Sequence, residues 1–472
     1  MNRKPYKPML IKYIVNLLIA FLVSGAGLIA QGQSRPNILL LLADDLGYRD
    51  LSCYGSTQVI TPNLDKLASK GMRFTDFYAG SAVCSPSRAA LMTGRSSVRA
   101  GIYSWIHTSH KMHLAKTEFT TAELLKQAGY ATAHIGKWHL GYDLEEGAGP
   151  GPNPGDQGFD HWIATGNNAI PSHHNPDNFV RNGLALGEVK GYSSHLLADE
   201  AIDWLERRPK DQPFFINMWF HEPHQKVAAP DVYLEKHQDT DLPAYYGSIE
   251  NMDAAIGRVL MELEKQGLIE QTLIVFMSDN GSYRGRSGSN GELANGKTTL
   301  WEGGIRVPGI FSWPGVIAEG TIENRPAGVV DIFPTIKEII GGEIDPKITI
   351  DGSSLLPIFE QKSFERQKPL YWFYPPSRPI AVIREGPWNL IADPELDIPR
   401  GNMFQEAYIG MIKETKLQNF RLYNLRNDPK QTKDVSAENP EVFEKMIKEM
   451  IKLNQEIVEE AMDWRDFSWT NN

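Results

Sequence analysis

The segment from Cys84 to Arg88, Cys-Ser-Pro-Ser-Arg, puts a thiol at the start of a predicted short helix. Pro86 is typical of a first helical turn, and Ser85 or Ser87 can cap it. A helix N-terminus carries positive potential and free N–H groups, and the arginine adds a further positive charge. Such a place suits an anion and a nucleophile, although a buried cysteine that only begins a helix would give the same pattern.

Four apolar runs, each predicted to form a buried strand, are followed by side chains that bind metals or transfer protons. These endings are Asp44-Asp45 after residues 37–43, Lys137 and His139 after 130–135, His221 and His224 after 214–220, and Asp279-Asn280 after 272–278. Ligand sites of open α/β sheets lie beyond the carboxyl ends of the strands. We therefore expect all four endings to surround one site.

Oxygen donors dominate the metal-binding side chains among these endings. No pair of cysteines or histidines has the spacing of a zinc site. A hard oxygen set favours Ca²⁺ or Mg²⁺, and a flexible carboxylate set favours Ca²⁺. A single aspartate could instead be a turn or cap residue, but adjacent carboxylates repel each other unless a cation is bound. The predicted metal ligands are Asp44, Asp45, Asp279 and Asn280.

Helical stretches between the apolar runs predict a doubly wound α/β sheet flanked by helices. Helices are expected over residues 63–70, 121–128, 193–207 and 246–266, with Gly71, Gly94, Gly129 and Gly267 at helix ends. After about Pro369, short strands over 370–374, 380–384, 388–392 and 420–425 and a helix over 440–461 predict a smaller α+β subdomain with an antiparallel sheet. The predicted domains are 34–368 and 369–472.

The motifs resemble those of type I, formylglycine-dependent sulfatases of the alkaline-phosphatase superfamily. The Cys-x-Pro-Ser-Arg run with its Thr93-Gly94-Arg95 tail is similar to that family's maturation signature. The matching blocks are Asp44-Asp45 and Asp279-Asn280-Gly281 for the metal, 136–141 for one sulfate lysine, and 296–308 for another. The order of the blocks makes the resemblance specific over most of residues 35–315. It implies an alkaline-phosphatase-like mixed sheet.

The resemblance implies that Cys84 is oxidised to formylglycine (3-oxoalanine) by a sulfatase-maturating enzyme. The hydrated aldehyde would attack sulfur, with calcium bound by the four oxygen ligands and by modified residue 84. The resemblance further implies that Arg88, Lys137 and Lys297 neutralise the sulfate. His139 would remove the proton from the second hydroxyl, and a histidine or Lys297 would protonate the leaving oxygen.

Two histidines compete for the leaving-group role. The sequence His221-Glu222-Pro223-His224 fits two versions of the family pattern. We favour His224, although Lys226 stands where that pattern has a proline. One of the two histidines is expected to be an ordinary hydrogen-bonded loop residue.

The substrate predicted by analogy is a sulfated carbohydrate. Weaker candidates for sugar contacts are His107, His173, His174 and Arg378, for which ordinary packing is an equal alternative. Glu302 and Arg306 are predicted to be structural, either by forming an ion pair or by supporting the loop. Two other functions stay open: a phosphomonoester or phosphonate hydrolase of the same superfamily, and a non-catalytic glycan-binding protein with unmodified Cys84.

Composition and the N-terminus indicate an exported protein of 472 residues. A formal net charge of −10 argues against a nucleic-acid partner. Basic residues followed by the apolar run 14–30 predict a signal peptide over residues 1–30, and no stable membrane anchor is expected. Two cysteines exclude a disulfide framework. We expect a bacterial periplasmic or secreted location.

Overall fold

The computed structural model describes residues 35–145, 151–283, 289–400, 404–465 and 467. Two sheets occur in these ranges, and both belong to the compact unit Asn37–Asn472. The predicted signal peptide lies outside the described residues and stays a prediction. Within the described ranges, no helix has the length and apolar character needed to cross a membrane.

The larger sheet is 11-stranded in the described part of the chain, in the order β10-β2-β9-β8-β1-β7-β3-β4-β5-β6, with β11 also pairing with β2. Its strands are β1 (Asn37–Ala43), β2 (Met72–Tyr78), β3 (Ala131–Lys137), β4 (His161–Thr165), β5 (Val180–Arg181), β6 (Leu184–Ala185), β7 (Phe214–Trp219), β8 (Thr272–Ser278), β9 (Arg306–Ser312), β10 (Thr321–Glu323) and β11 (Ala327–Gly328).

Five central strands, β8, β1, β7, β3 and β4, run parallel. Strand β9 is antiparallel to both β8 and β2, so the sheet is mixed. The register pairs Leu42 of β1 with Trp219 of β7 and with Met277 of β8. The residues that follow these strands therefore emerge at one edge of the sheet, and the predicted doubly wound α/β class is confirmed.

Helices cover both faces of this sheet. Ile38, Leu40 and Leu42 of β1 enter one apolar core, whereas Leu39 and Leu41 enter another. This alternation places a core on each face, as expected for a parallel sheet that is covered on both sides. The α-helices are α1 (Pro62–Ser69), α2 (Cys84–Thr93), α3 (Thr121–Gln127), α4 (Ser193–Arg207), α5 (Asp231–Lys236), α6 (Pro243–Lys265), α7 (Glu302–Ile305), α8 (Ile332–Ile340), α9 (Leu356–Phe359), α10 (Ile409–Glu414) and α11 (Pro440–Glu460). Short 3₁₀ segments occupy Ser52–Tyr54, Pro154–Gln157, Ile269–Gln271, Val329–Asp331, Glu406–Tyr408 and Ser436–Glu438.

The second sheet is antiparallel and comes from the C-terminal part of the chain, as predicted. Its order is β12-β13-β14-β15. Helix α11 buries Met446, Met450, Leu453 and Ile457, which share one helix face. The domain boundary near residue 369 stays a prediction. The strands are β12 (Leu370–Phe373), β13 (Ala381–Glu385), β14 (Trp388–Pro394) and β15 (Leu417–Asn424).

Helix α2 begins at Cys84, but its predicted cap is wrong. The preceding Val83 is extended, and no side chain caps the helix. Ser87 Oγ instead accepts a hydrogen bond from the Gly80 N–H at 2.9 Å. The predicted exit is confirmed, since Gly94 has φ 66°. The cap position belongs to Val83, and Ser85 and Ser87 lie inside the first turn of the helix.

Buried polar contacts join the two sheets. Arg384 on β13 donates through Nε to the Tyr78 hydroxyl on β2 at 3.1 Å, and its Nη2 lies 3.6 Å from Asp76 Oδ1. The Tyr78 hydroxyl donates to Glu302 Oε2 at 3.0 Å. Arg306 Nη1 lies 3.4 Å from the same oxygen, which confirms the predicted ion pair. The network fixes the segment that leads into β9.

Replacing Arg384 with Met should lower the free energy of unfolding by about 3 kcal/mol, because the buried Asp76 and Glu302 would lose a compensating charge. Urea denaturation followed by circular dichroism measures this loss. The matched control is Lys445→Met, whose exposed ion pair with Glu385 should contribute less than about 1 kcal/mol. Equal effects of the two substitutions would contradict the role given to the buried network.

Candidate active site

The carboxyl ends of the central parallel strands bring the predicted residues together. Asp44 and Asp45 follow β1, and Asp279 follows β8. Lys137 ends β3, and Cys84 approaches from the start of α2. These five side chains are all buried. One edge of the sheet therefore gathers acidic, basic and thiol groups from segments that are distant in sequence.

Asp44 holds the thiol and one lysine. Its Oδ2 accepts from Lys137 Nζ at 2.7 Å, and its Oδ1 accepts from Cys84 Sγ at 3.4 Å. Arg88 Nη2 lies 3.7 Å from Oδ2. Burial alone would raise the pKa of Asp44, but Lys137, His224 and Arg88 hold it well below its usual range. Asp44 is thus held as a carboxylate.

Arg88 and Asp279 form a second buried pair. Arg88 donates to Asp279 Oδ2 through Nε at 3.0 Å and through Nη2 at 2.7 Å. Asp279 Oδ1 accepts from the backbone N–H of Asp45 at 3.1 Å. Burial and the negative charge of Asp44 nevertheless raise the pKa of Asp279 to about 6. The positive charge of Arg88 therefore does not fully compensate for the burial of the Asp279 carboxylate.

Lys297 connects Asp45 to the thiol. Its Nζ lies 2.5 Å from Asp45 Oδ1 and 3.7 Å from Cys84 Sγ. Asn280 Nδ2 donates to the same Asp45 oxygen at 2.8 Å. Asp45 has φ 66°, a conformation that is uncommon for a residue other than glycine. Local backbone strain therefore accompanies the placement of this carboxylate.

A cavity of about 250 Å³ opens onto Cys84, His139, His224 and Lys297. His139 donates from Nε2 to the backbone oxygen of Ile106 at 2.9 Å, so its Nδ1 is the nitrogen able to accept a proton. Burial and Lys137 lower the pKa of His139 well below its usual value. The neutral imidazole is therefore the favoured form at neutral pH.

The structure separates the two competing histidines. His224 lines the cavity and donates from Nδ1 to the Gln225 backbone oxygen at 2.7 Å, which leaves Nε2 for proton exchange. Burial lowers the pKa of His224 to about 4. His221 lies behind the cavity wall, with Thr165 Oγ1 at 2.8 Å from its Nε2 and Ser193 Oγ at 3.1 Å from its Nδ1. Only His224 of this pair is placed to meet a substrate.

The weaker sugar-contact candidates are dispersed. His107 packs edge-on against Trp105, a cavity residue, at 5.5 Å between ring centroids. His173 is fully buried, and His174 stacks on Tyr192 at 4.6 Å. Neither of these two lines the cavity. Arg378 directs its guanidinium at backbone oxygens and lines a different cavity.

Several cavity residues were not predicted. Asn167 and Asn168 follow β4, a fifth parallel strand whose carboxyl end reaches the same edge. Recognising residues 161–165 as a strand would have identified them by the rule used for the other four. Tyr283 and Thr298 also line the cavity. Tyr283 lies two residues after the block 279–281 and Thr298 lies within the block 296–308, and these positions are the signal that points to them.

The carboxylate oxygens at this edge fit a hard divalent cation. Ligand atoms of Asp44 and Asp45 lie within 4.8 Å of one another and of those of Cys84 and His224, a group that does not include the predicted ligand Asp279. Among the described residues, buried Asp45 Oδ2 and Asn280 Oδ1 accept no hydrogen bond. Buried acceptors of this kind are costly unless another group satisfies them. A bound cation would satisfy both oxygens.

Comparison with known proteins identifies the family. The Sulfatase family model matches residues 36–342. Arylsulfatase A of Homo sapiens is 34% identical over 392 residues, covering 75% of this chain and 74% of that protein. N-acetylgalactosamine-6-sulfatase of Rattus norvegicus is 34% identical over 380 residues, covering 73% and 70%. The solved structure of Ps i-CgsB in complex with k-i-k-neocarrahexaose has a TM-score of 0.78 and 28% identity, covering 91% of this chain and 94% of that one. The chain therefore belongs to the sulfatase family, and the protein is a sulfatase.

Proposed function

We propose that this sulfatase releases sulfate from a sulfated carbohydrate with a formylglycine derived from Cys84 and a calcium ion. The observation that carries the proposal is the position of Cys84 between Asp44 and Lys297 in the cavity. Burial and nearby carboxylates raise the pKa of the Cys84 thiol, so it stays protonated. A protonated thiol is a poor nucleophile. The unmodified Cys84 thus lies where a nucleophile is needed, but its thiol is too weakly nucleophilic to attack the ester.

Modification of residue 84 supplies the missing nucleophile. As a hydrated aldehyde, it would offer one hydroxyl for in-line attack on sulfur and a second whose deprotonation returns the aldehyde and frees sulfate. The protein's partner for this change is a sulfatase-maturating enzyme. The site of modification is the first residue of α2, at the positive end of the helix.

Asp44, Asp45, Asp279 and Asn280 would hold the calcium together with residue 84. The cation would supply Lewis-acid polarisation of a sulfate oxygen and of the nucleophilic hydroxyl. Three carboxylates already face Arg88, Lys137 and Lys297, so the described charges of this cluster cancel. A divalent cation then leaves positive charge for an anionic ester and an ionised hydroxyl. The charge balance supports an anionic substrate.

Basic side chains and two histidines perform the remaining steps. Arg88, Lys137 and Lys297 neutralise the charge on the sulfate oxygens, and such electrostatic stabilisation contributes most to catalysis in many enzymes. As the bond between sulfur and the ester oxygen breaks, His224 gives the leaving oxygen a proton from Nε2 in its doubly protonated form, which the negative charge of a bound sulfate ester would favour. His139 Nδ1 accepts the proton from the second hydroxyl of residue 84. Each step uses the ring nitrogen that the surrounding hydrogen bonds leave free to exchange a proton.

The carbohydrate class is supported by relatives and by the cavity walls. One relative is named for N-acetylgalactosamine 6-sulfate, and one similar structure holds a neocarrahexaose. Trp105, Tyr283 and Tyr374 give the cavity aromatic surface, and Asn167 and Asn168 give it amide groups. Aromatic faces with a few polar groups suit sugar rings. Export to a bacterial periplasm or beyond places the enzyme where polysaccharides occur.

Sulfate release from a defined panel tests the substrate class. The panel contains 4-nitrophenyl sulfate, 4-nitrophenyl phosphate, 6-sulfated N-acetylgalactosamine, and di- and hexasaccharides of κ-carrageenan and chondroitin 6-sulfate. We expect kcat/KM for at least one saccharide to exceed that for 4-nitrophenyl sulfate, because the cavity contacts the sugar as well as the sulfate. Faster turnover of the aryl phosphate, or turnover of aryl sulfate without any saccharide, would overturn the proposal.

Asp45→Asn tests the cation site. Removing one carboxylate charge should lower calcium affinity by about a hundredfold and abolish saccharide turnover. Metal content after dialysis, measured by mass spectrometry, gives a readout independent of activity. Asp199→Asn is the matched control, since this exposed aspartate pairs only with a surface arginine in the described contacts. Retained calcium in Asp45→Asn, or full activity in excess chelator, would refute the cation's role.

A further inference from the structure

A second cavity, of about 410 Å³, lies on the C-terminal sheet. Its walls come from the end of β14 and the chain after it, from the start of β15, and from Trp301 and Arg378. The volume is in the range of ordinary small-ligand sites. The reaction steps described above make no use of this cavity.

Two chain segments connect this cavity to the catalytic one. In the first, Thr298 lines the catalytic cavity and Trp301 lines the second. In the other, Tyr374 lines the catalytic cavity and Arg378 lines the second. Trp301 is the third residue after Thr298, so their Cα atoms lie at most about 11 Å apart. The linings of the two cavities are therefore only a few residues apart in both segments, a separation that a few sugar rings would span.

Hydrogen bonds hold the two segments together along this path. The Leu300 N–H donates to Ser377 Oγ at 3.0 Å, and Trp301 Nε1 donates to the Arg378 backbone oxygen at 3.1 Å. Both bonds lie between the cavities, so the shared wall is cross-linked. The Trp301 ring is fixed by its own hydrogen bond. These hydrogen bonds fix the positions of the two cavities relative to each other.

Trp301 gives the second cavity an aromatic wall. Its ring centroid lies 6.0 Å from that of Tyr423 and 6.0 Å from the Arg421 guanidinium carbon. Gln418 adds an exposed amide side chain to the lining. An aromatic face beside hydrogen-bonding groups suits the apolar face and the hydroxyls of a sugar ring.

The positive and negative charges that line the second cavity are equal in number, whereas a sulfate site needs an excess of positive charge. Its lining arginines are Arg378, Arg400 and Arg421, and its lining acids are Asp393, Glu395 and Asp397. Arg421 Nη2 pairs with an Asp393 oxygen at 3.0 Å. Arg378 donates to the backbone oxygens of Pro375, Ser377 and Ile398. The described lining residues leave no excess positive charge for a second sulfate, so an uncharged ring is the better fit.

We propose that the second cavity is a binding subsite for an unsulfated sugar ring of the same substrate chain whose sulfate ester occupies the catalytic cavity. This inference rests on the proposed carbohydrate function and makes it narrower. The enzyme acts on oligosaccharides in preference to monosaccharides. Arg421, Gln418 and Trp301 are the residues that contact the distant ring.

Arg421→Met tests the subsite in the mature, calcium-loaded enzyme. The probes are 4-nitrophenyl sulfate and the di- and hexasaccharides of κ-carrageenan and chondroitin 6-sulfate. For the glycan that is turned over, wild-type kcat/KM should be higher for the hexasaccharide than for the disaccharide. In Arg421→Met, the ratio of hexasaccharide to aryl sulfate kcat/KM should fall about tenfold. Gln418→Ala should lower the same ratio. This second variant keeps the test valid if Arg421→Met fails to fold.

Lys433→Met is the matched control, because Lys433 is an exposed residue of the C-terminal subdomain outside the cavity lining. Its ratio should equal that of the wild type. Equal turnover of disaccharide and hexasaccharide, or an unchanged ratio in both subsite variants, would overturn the subsite and leave the carbohydrate function standing. Turnover of aryl sulfate alone would overturn both.

Discussion

Three buried carboxylates and three buried cations meet at one edge of a parallel sheet, and their charges must balance for the protein to fold. Asp44, Asp45 and Asp279 are without exposed surface, and ionised groups in such places must be paired. Lys137 and Arg88 supply two partners and Lys297 the third. Burial and the negative charge of Asp44 nevertheless raise the pKa of Asp279 to about 6. A bound cation would favour the carboxylate form of Asp279 and would add positive charge for an anionic ester.

The rest of the fold keeps these charges within reach of one another. Parallel strands β1, β3 and β8 bring their last residues to one edge, because β1 pairs with both β8 and β7, and β7 pairs with β3. Lys297 comes from outside the strands, and its segment is held through Glu302, which accepts from Tyr78, a partner of Arg384. The C-terminal sheet thereby supports the catalytic edge. It also carries the wall that leads to the second cavity.

Much of this could be predicted from sequence where a pattern repeats along the chain. The helix predicted over 193–207 is observed as Ser193–Arg207, since its apolar spacing is regular. Strands of two or three residues, such as β5 and β10, were not predicted, because such short segments carry no period. Asn167 and Asn168 were missed for the related reason that β4 was not recognised as a strand.

The directions of side chains also could not be predicted from the sequence. His221 and His224 follow the same strand, and only the fold turns one toward Thr165 and the other toward the cavity. The cap predicted for α2 is wrong because the helix already begins at Cys84, so that Ser85 and Ser87 lie inside it. Sequence patterns place helix ends only to within one or two residues. The rule for strand endings, by contrast, correctly predicted that Asp44, Lys137 and Asp279 lie together at one edge of the sheet.

The central claim is that residue 84 acts as an aldehyde and not as a thiol. Mass spectrometry of the tryptic peptide from Phe74 to Arg88, in enzyme coexpressed with a sulfatase-maturating enzyme, measures the two forms directly. We expect a lighter, aldehyde-reactive peptide whose fraction among preparations is proportional to kcat, because only that form has the second hydroxyl needed to release sulfate. Full turnover by a preparation that contains only the thiol form would contradict the account.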